Sequence, residues 1–164
     1  MVREDLADLE HRLERSSIGE RLCPVARAAG QLVDAWTFVI LRELFLGNRR
    51  FEALRQHTGM SPRSLALRLA RLVDEGILDK QPSRDAPTAQ EYRLTEKGLD
   101  LWPILIAMLA WGDKYAAAAG PPLRLVHRDC GGRVNDRRMC ERCGAELTVR
   151  DVRADAPAPS SVVA

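Results

Sequence analysis

The chain lacks the features that would place it in a membrane or outside the cell. It has no run of about eighteen apolar residues, so we expect no membrane-spanning helix. Its first residues, MVREDLADLEHRLERSS, contain acids and no apolar core, so they do not resemble a signal peptide. We therefore expect a cytoplasmic location and no membrane partner.

The motifs of common enzyme classes are also absent. The sequence contains no glycine-rich phosphate loop, no paired carboxylates suited to a cleft and no open metal site. Aromatic residues make up only 5% of the chain, and lysine occurs only as Lys80, Lys97 and Lys114. We expect a protein that is not an enzyme and in which arginine carries most of the positive charge.

That positive charge is concentrated in one segment. The formal net charge of the 164 residues is only +2, too small for a non-specific nucleic-acid coat. Between residues 48 and 72, however, Glu52 is the only acid among six arginines. Such clustering attracts nucleic acid to one surface.

The same segment predicts two helices joined by a tight turn. Gly59 suits the end of the first helix, because glycine tolerates positive φ. Ser61 is a favourable N-cap for the second helix and Pro62 a favourable first residue. The leucine spacing predicts one buried face, formed by Leu65, Leu69 and Leu72. The other face resembles a recognition helix that enters the DNA major groove; an ordinary amphipathic helix with a solvated basic face is the alternative.

A β-hairpin is predicted directly after these helices. Its strands begin at Ile77 and at Glu91, and the turn between them contains Pro82 and Pro87. The order helix, helix, hairpin is typical of a winged helix, although a plain surface loop is the alternative. The predicted DNA-binding residues are Arg49, Arg50, Ser61, Arg63, Ser64, Leu67, Arg68, Arg71 and, at the wing tip, Arg84.

Further helices are predicted on both sides of this segment. Residues 2–15 carry a narrow apolar stripe, which we expect to pack on a partner subunit rather than on the rest of its own chain; a frayed arm is the alternative. Residues 24–33 and 36–46 are predicted core helices, and residues 95–118 a long helix with two apolar faces. Pro103 should kink this helix or mark its true start. This region is predicted to form the dimer interface. Beside the interface we expect packed core, with a small-ligand pocket as the less favoured alternative. The residues predicted for the interface or the pocket are Trp36, Phe38, Trp102, Met108, Trp111 and Tyr115.

Four metal-binding side chains follow near the C-terminus. The pair His127-x-x-Cys130 precedes Cys140-x-x-Cys143, and glycine follows both Cys130 and Cys143. Two such knuckles predict a closed structural Zn²⁺ site that is not catalytic, with ribbon strands at 133–139 and 146–152. A redox or disulfide pair of Cys140 and Cys143 is the less favoured alternative in a reducing compartment.

The segment CPVARAAGQLVDAWTFVILRELFLGNRRFEALRQHTGMSPRSLALRLARLVDEGIL, followed by EYRLTEKG and LAWGDKY, resembles the HxlR family of bacterial winged-helix regulators, which is related to MarR. The match covers about residues 22–116, and the resemblance implies a homodimer on a palindromic operator. The N-terminal helix is longer than is usual in this family, and only some members carry a Cys/His module.

Cys23 stands apart from the Cys/His module, at the start of a predicted core helix. A helix N-terminus stabilises a thiolate. The resemblance implies that the equivalent cysteine senses electrophiles or oxidants in some members. A small buried residue at a helix start is the alternative.

The sequence therefore predicts a mainly α protein with a small β-hairpin wing and a C-terminal zinc ribbon. The predicted parts are a helical dimerisation arm at 1–20, a winged helix-turn-helix at 21–119, a zinc-ribbon-like module at 123–150 and a disordered tail at 151–164. Gly120-Pro121-Pro122 is expected to isolate the module energetically. We expect a homodimeric, sequence-specific transcriptional regulator on double-stranded DNA, responsive to a small-molecule effector or to thiol modification; the alternative is a non-sequence-specific transcription adaptor.

Overall fold

The computed structural model describes residues 23–32, 34–83, 88–116 and 124–155. The predicted arm at 1–20, the wing-tip residue Arg84, the 120–122 linker and the tail beyond Asp155 lie outside these ranges. The chain divides into two units, residues 1–41 and 42–164. Within the described ranges, no helix is long and apolar enough to cross a membrane.

The first two helices confirm the predicted core segments to within a residue. Helix α1 spans Pro24–Leu32 and α2 spans Ala35–Phe45. The carboxylate of Asp34 accepts a hydrogen bond from the Trp36 backbone N–H at 2.9 Å, which satisfies a donor at the start of α2. Ile40 and Leu41 are buried, as expected for a helix that is apolar on nearly every side.

The predicted helix-turn-helix is confirmed. Helix α3 spans Phe51–Thr58 and ends at Gly59, whose φ of +69° is left-handed. Helix α4 spans Pro62–Asp74, and its N-cap Ser61 accepts a hydrogen bond from the Ser64 backbone N–H at 3.3 Å. The three predicted core leucines of α4 are at most 2% exposed, so the leucine face packs inward.

The wing is an antiparallel pair of strands, β1 Leu78–Pro82 and β2 Gln90–Leu94. The chain just before α3 adds to β2, because the Tyr92 backbone N–H donates to the carbonyl of Arg49 at 2.8 Å. Two lysines support this region: the Lys80 ammonium lies 5.9 Å from the centre of the Tyr92 ring, and the Lys97 ammonium donates to the Glu75 carbonyl at 2.7 Å. The wing is therefore tied to the start of the helix-turn-helix.

The predicted continuous helix over 95–118 is wrong. The structure has a short helix α5, Glu96–Leu99, and a separate helix α6, Trp102–Tyr115, with Pro103 in the first turn of α6. Proline has no N–H to continue an upstream helix, so the expectation that Pro103 marks the true start is confirmed. A Cβ atom at Gly98 would overlap the Ile77 carbonyl oxygen, so glycine permits α5 to lie against the start of the wing.

The C-terminal module pairs different strands from those predicted. Strand β3, Arg124–His127, pairs antiparallel with β4, Val152–Asp155, and a 3₁₀ turn at Val149–Asp151 precedes β4. The predicted ribbon strands form only isolated bridges, such as Val134 with Cys140. The predicted disordered tail is wrong for its first residues, because β4 is hydrogen-bonded to β3 as far as Asp155.

The module and α6 share one apolar cluster. Its buried members are Trp102, Ile106, Cys140, Leu147 and Val152. Phe45 joins this cluster through its ring, 5.3 Å from that of Trp102. The expectation that the linker isolates the module is therefore wrong, because a segment this short obtains its core by packing on a helix of the preceding domain.

Candidate functional site

The outward face of α4 combines charge with an exposed apolar residue. Arg63 is exposed, and Leu67, one turn further along the helix, is 61% exposed although it is a leucine. The Arg68 guanidinium is half-buried and donates to the Ser64 hydroxyl at 2.9 Å, which holds it along the helix. Arg71, a further turn along, is half-buried. The structure thus brings the predicted base-reading residues onto one face.

The base of the wing contains a polar network that the sequence did not predict. Glu91 is 8% exposed and accepts hydrogen bonds from the Ser83 hydroxyl at 2.6 Å and from Arg93 at 2.9 Å. The Ser83 hydrogen bond, aided by the charge of Arg93, lowers the pKa of Glu91 below its ordinary value. Arg50, a predicted phosphate ligand, lies 4.0 Å from the same carboxylate and keeps about half of its side chain exposed (52%).

A second unpredicted network joins α2 to α3. Glu43 is only 2% exposed and accepts a hydrogen bond from the Asn48 side-chain amide at 2.7 Å. Arg42 forms an ion pair with one oxygen of the Glu43 carboxylate. The His57 imidazole lies 3.5 Å from the second oxygen, which is the one that accepts the Asn48 hydrogen bond. The only sequence signal for this site was a glutamate inside the apolar stretch WTFVILRELFL. The network holds the start of the helix-turn-helix on the preceding helix.

The four predicted metal ligands converge. His127 Nδ1 lies 3.3 Å from the Cys130 sulfur and 3.4 Å from the Cys143 sulfur. Cys130 lies 3.4 Å from Cys140 and 3.7 Å from Cys143, and the four ligand atoms are all within 4.8 Å of one another. Four-coordinate Zn²⁺ with ordinary bond lengths separates its ligand atoms by about 3.6–3.8 Å, so the cluster has the right dimensions. All four cysteines are free thiols.

Glycines shape the two knuckles. Gly131 and Gly144, which follow the second ligand of each pair, have φ of +69° and +72°. A Cβ atom at Gly132 would overlap the Cys140 sulfur and the Cβ atom of Arg142, so no larger residue fits beside the cluster. The Arg142 guanidinium donates to the Cys130 carbonyl at 2.7 Å and links one knuckle to the other.

The backbone prepares the cluster for a cation. The backbone N–H groups of Cys143 and Arg142 point to the Cys140 sulfur and lower the pKa of this thiol to about 6. For Cys130, the Gly132 backbone N–H lowers the pKa, but the neighbouring thiols and burial outweigh it, and the pKa is raised. A bound cation would stabilise the thiolate form of both cysteines. Since Nδ1 of His127 faces the sulfurs, its Nε2 is left to face the Asp129 carboxylate at 3.5 Å, an arrangement typical of a metal-binding histidine.

The other predicted site residues lie on separate elements. Cys23 is exposed directly before α1, and in the same unit Trp36 is 42% exposed and Phe38 is half-buried. Trp102 is buried in the cluster shared with the module. An exposed apolar stripe runs along α6, formed by Ile104, Met108, Trp111 and Tyr115, which are 42–64% exposed.

Known proteins resemble this chain over most of its length. The family model described as an HxlR-like helix-turn-helix matches residues 31–119, more than half of the chain. An uncharacterized HTH-type transcriptional regulator of Mycobacterium tuberculosis is 39% identical over 155 residues, which cover 94% of this chain and 93% of the relative.

Two solved structures are similar as well. The crystal structure of PA1607, a candidate transcription factor, superposes with a TM-score of 0.69 at 36% identity and covers 85% of this chain and 98% of its own. The redox regulator HypR in its reduced form gives a TM-score of 0.51 at 29% identity over 56% of this chain and 92% of its own. Given the matched family model and the near full-length relative, the chain belongs to the HxlR-like helix-turn-helix family.

Proposed function

We propose that the protein is a sequence-specific, DNA-binding transcriptional regulator. The observation that carries this proposal is the outward face of α4, where Arg63 and the exposed Leu67 lie one turn apart beyond a capped helix start. Leucine on a basic surface is unfavourable in water, but it can pack on a thymine methyl group in the major groove. Family membership and the transcriptional regulators among the relatives support the same function.

The residues divide into two roles. The residues that face base edges are Arg63, Ser64, Leu67 and Arg68. The hydrogen bond from Arg68 to Ser64 already restricts the Arg68 side chain, so less conformational entropy is lost when it binds DNA. Arg49, Arg50 and Arg71 hold phosphates, as does Arg84 at the wing tip. Ser61 caps α4, so that the first turn of this helix presents its backbone N–H groups to DNA.

Arg63→Ala should weaken binding to the selected operator by about 1–3 kcal/mol and relax specificity at one base position. Arg63→Lys keeps the charge but loses the two-pronged contact to guanine, so it should lose specificity while retaining most of the salt dependence. As a matched control, Arg50→Ala should weaken all sequences equally and reduce the salt slope by about one. Quantitative binding to an operator selected from random DNA measures all three variants.

An unchanged operator affinity for Arg63→Ala at fixed salt would show that the groove face is assigned wrongly. Salt-dependent binding without any preferred sequence would instead support the adaptor alternative. A regulator of chromosomal DNA also implies a cytoplasmic location, and we expect no enzymatic activity.

The regulator acts as a homodimer through α6. Large apolar side chains that are exposed as a contiguous stripe usually mark an interface, and Trp111 and Tyr115 extend the stripe with tilted rings whose centres lie 5.5 Å apart. The residues predicted at 2–15 would add to this contact. Two copies related by a twofold axis fit a palindromic operator.

The double variant Met108→Asp, Trp111→Asp should sediment as a monomer, because two charges would have to be buried in the interface. Leu67→Asp is the control: it places one such charge at an apolar residue about as exposed as Trp111, but on α4. The control should remain dimeric and lose operator binding. A double variant that stays fully dimeric would exclude this face of α6.

The Cys/His cluster holds one structural Zn²⁺ through His127, Cys130, Cys140 and Cys143. The support is the spacing of the four ligand atoms and the backbone donors around Cys140. Binding of the ion is coupled to folding of the module. Since the cluster of Cys140 includes Trp102, we expect the ion to stabilise the start of α6 as well.

Cys140→Ser and Cys143→Ser should both reduce the metal content to below half an equivalent per chain, as measured by elemental analysis. Only Cys140→Ser should in addition place a hydroxyl in the apolar cluster. Cys140 is 2% exposed and Cys143 is exposed, so a hydroxyl costs about 1–3 kcal/mol more at position 140. Thermal unfolding followed by tryptophan fluorescence should therefore show Cys140→Ser as the less stable variant. A full equivalent of metal in either variant would contradict the assigned ligands.

Thiol chemistry at Cys23 modulates DNA binding. Its exposure next to the start of α1 supports reactivity, and similarity to a redox regulator adds to this. Alkylation of the metal-loaded protein should modify Cys23 first and weaken operator binding, whereas Cys23→Ser should bind DNA and ignore the reagent. Modification of Cys23 without any change in affinity would assign it a role unrelated to regulation.

A further inference from the structure

Three sulfur atoms lie close together in the Cys/His cluster, and they differ in exposure. The Cys130 sulfur is 3.4 Å from that of Cys140 and 3.7 Å from that of Cys143. Cys143 is exposed, Cys130 is half-buried and Cys140 is only 2% exposed. Oxidation of cysteine depends on access, so a dissolved oxidant meets the Cys143 sulfur first.

Cys130 is better placed than Cys140 to react with an oxidised Cys143. A disulfide holds its sulfurs about 2.05 Å apart, so the sulfurs of Cys130 and Cys143, now 3.7 Å apart, must approach by roughly 1.7 Å. Cys140 is held in place, because the backbone N–H groups of Arg142 and Cys143 point to its sulfur and its side chain is packed in the apolar cluster of Trp102. Cys130 lies at the edge of that cluster and is only partly buried, so its sulfur can move without opening the core.

We propose that Cys143 and Cys130 form an oxidation site, at which hydrogen peroxide joins the two sulfurs in a disulfide and so releases the metal. The Cys143 sulfur attacks the peroxide: an S–O bond forms, the O–O bond breaks, and the leaving oxygen departs as water. The Cys130 sulfur then attacks the Cys143 sulfur: the S–S bond forms, and the S–O bond breaks with loss of a second water. Two thiols thereby lose two electrons and two protons, which reduce one hydrogen peroxide to two waters.

The disulfide removes half of the metal ligands. A thiolate binds a metal and a disulfide sulfur does not, so only His127 and Cys140 remain, too few for a closed tetrahedral site. The inference rests on the proposed structural Zn²⁺ site, and it places a second redox-sensitive site in the chain, separate from Cys23. Because Cys140 shares an apolar cluster with Trp102, we expect oxidation to lower the stability of the start of α6 as well.

The test uses the full-length, metal-loaded Cys23→Ser protein, in which Cys130, Cys140 and Cys143 are the only thiols. Hydrogen peroxide is added in the presence of a chromogenic zinc chelator, and disulfides are mapped by mass spectrometry of alkylated peptides. We expect release of about one equivalent of zinc per chain, at the rate at which a Cys130–Cys143 disulfide appears, with Cys140 recovered in its alkylated form. A dithiol reductant with added zinc should restore the metal content.

The metal content before treatment separates this inference from the zinc site on which it rests. A protein that holds no metal before peroxide is added would overturn both. A protein that starts with about one equivalent and keeps both the metal and its three thiols would overturn the oxidation site alone. A disulfide that joins Cys140 to either neighbour would overturn the assigned pair.

Two ligand exchanges give a matched pair of variants in the same Cys23→Ser protein. Cys143→His keeps four ligand atoms of types that zinc accepts but removes the exposed sulfur, so zinc release by peroxide should slow by about tenfold or more. His127→Cys also exchanges one accepted ligand for another but keeps the proposed pair, so it should release zinc as the parent does. Equal release rates for the two variants would refute the role of Cys143. If either variant does not hold metal, the disulfide map of the parent protein decides.

Discussion

The packing of the Cys/His module against Trp102 and Ile106 is the contact on which the C-terminal half of the protein depends. A segment of about thirty residues cannot bury enough apolar surface to fold by itself. Here it gains a core by burying Cys140, Leu147 and Val152 against α6. One of its proposed metal ligands therefore belongs to an apolar core as well as to the metal site, which links the chemistry of the cluster to the position of a helix.

Both α4 and α6 serve two neighbours at once. Helix α4 buries its leucines and presents Arg63 and Leu67 to solvent, while α6 buries Trp102 and Ile106 and presents Met108 and Trp111. In each case the inner face fixes the axis of the helix, and the outer face can then be occupied by groups that are unfavourable in water. The proposed contacts to DNA and to a second copy both follow from this division.

Local signals in the sequence predicted the helix-turn-helix and the Cys/His cluster, but not the long-range pairing. Ser61-Pro62 and the leucine spacing located α4, and two short ligand spacings located the knuckles. The strands of the module were predicted wrongly because β3 and β4 lie at opposite ends of the module in sequence, and their pairing leaves no local signal.

Networks of buried polar groups were missed for a related reason. The carboxylates of Glu43 and Glu91 are held by partners on other elements, and nothing in the residues next to them identifies those partners. The break between α5 and α6 was foreseen through Pro103 only as one of two outcomes. Which outcome occurs depends on tertiary packing, including the close approach of Gly98 to Ile77.

The lysines near the helix-turn-helix are already engaged, Lys80 against an aromatic ring and Lys97 on a helix-end carbonyl. Every positively charged residue of α4 is an arginine. A guanidinium keeps its charge at any pH at which proteins stay folded, and acetyl groups are transferred to amines rather than to guanidinium. Lysine acetylation therefore has no target on α4, so that modification cannot reduce the positive charge of this helix.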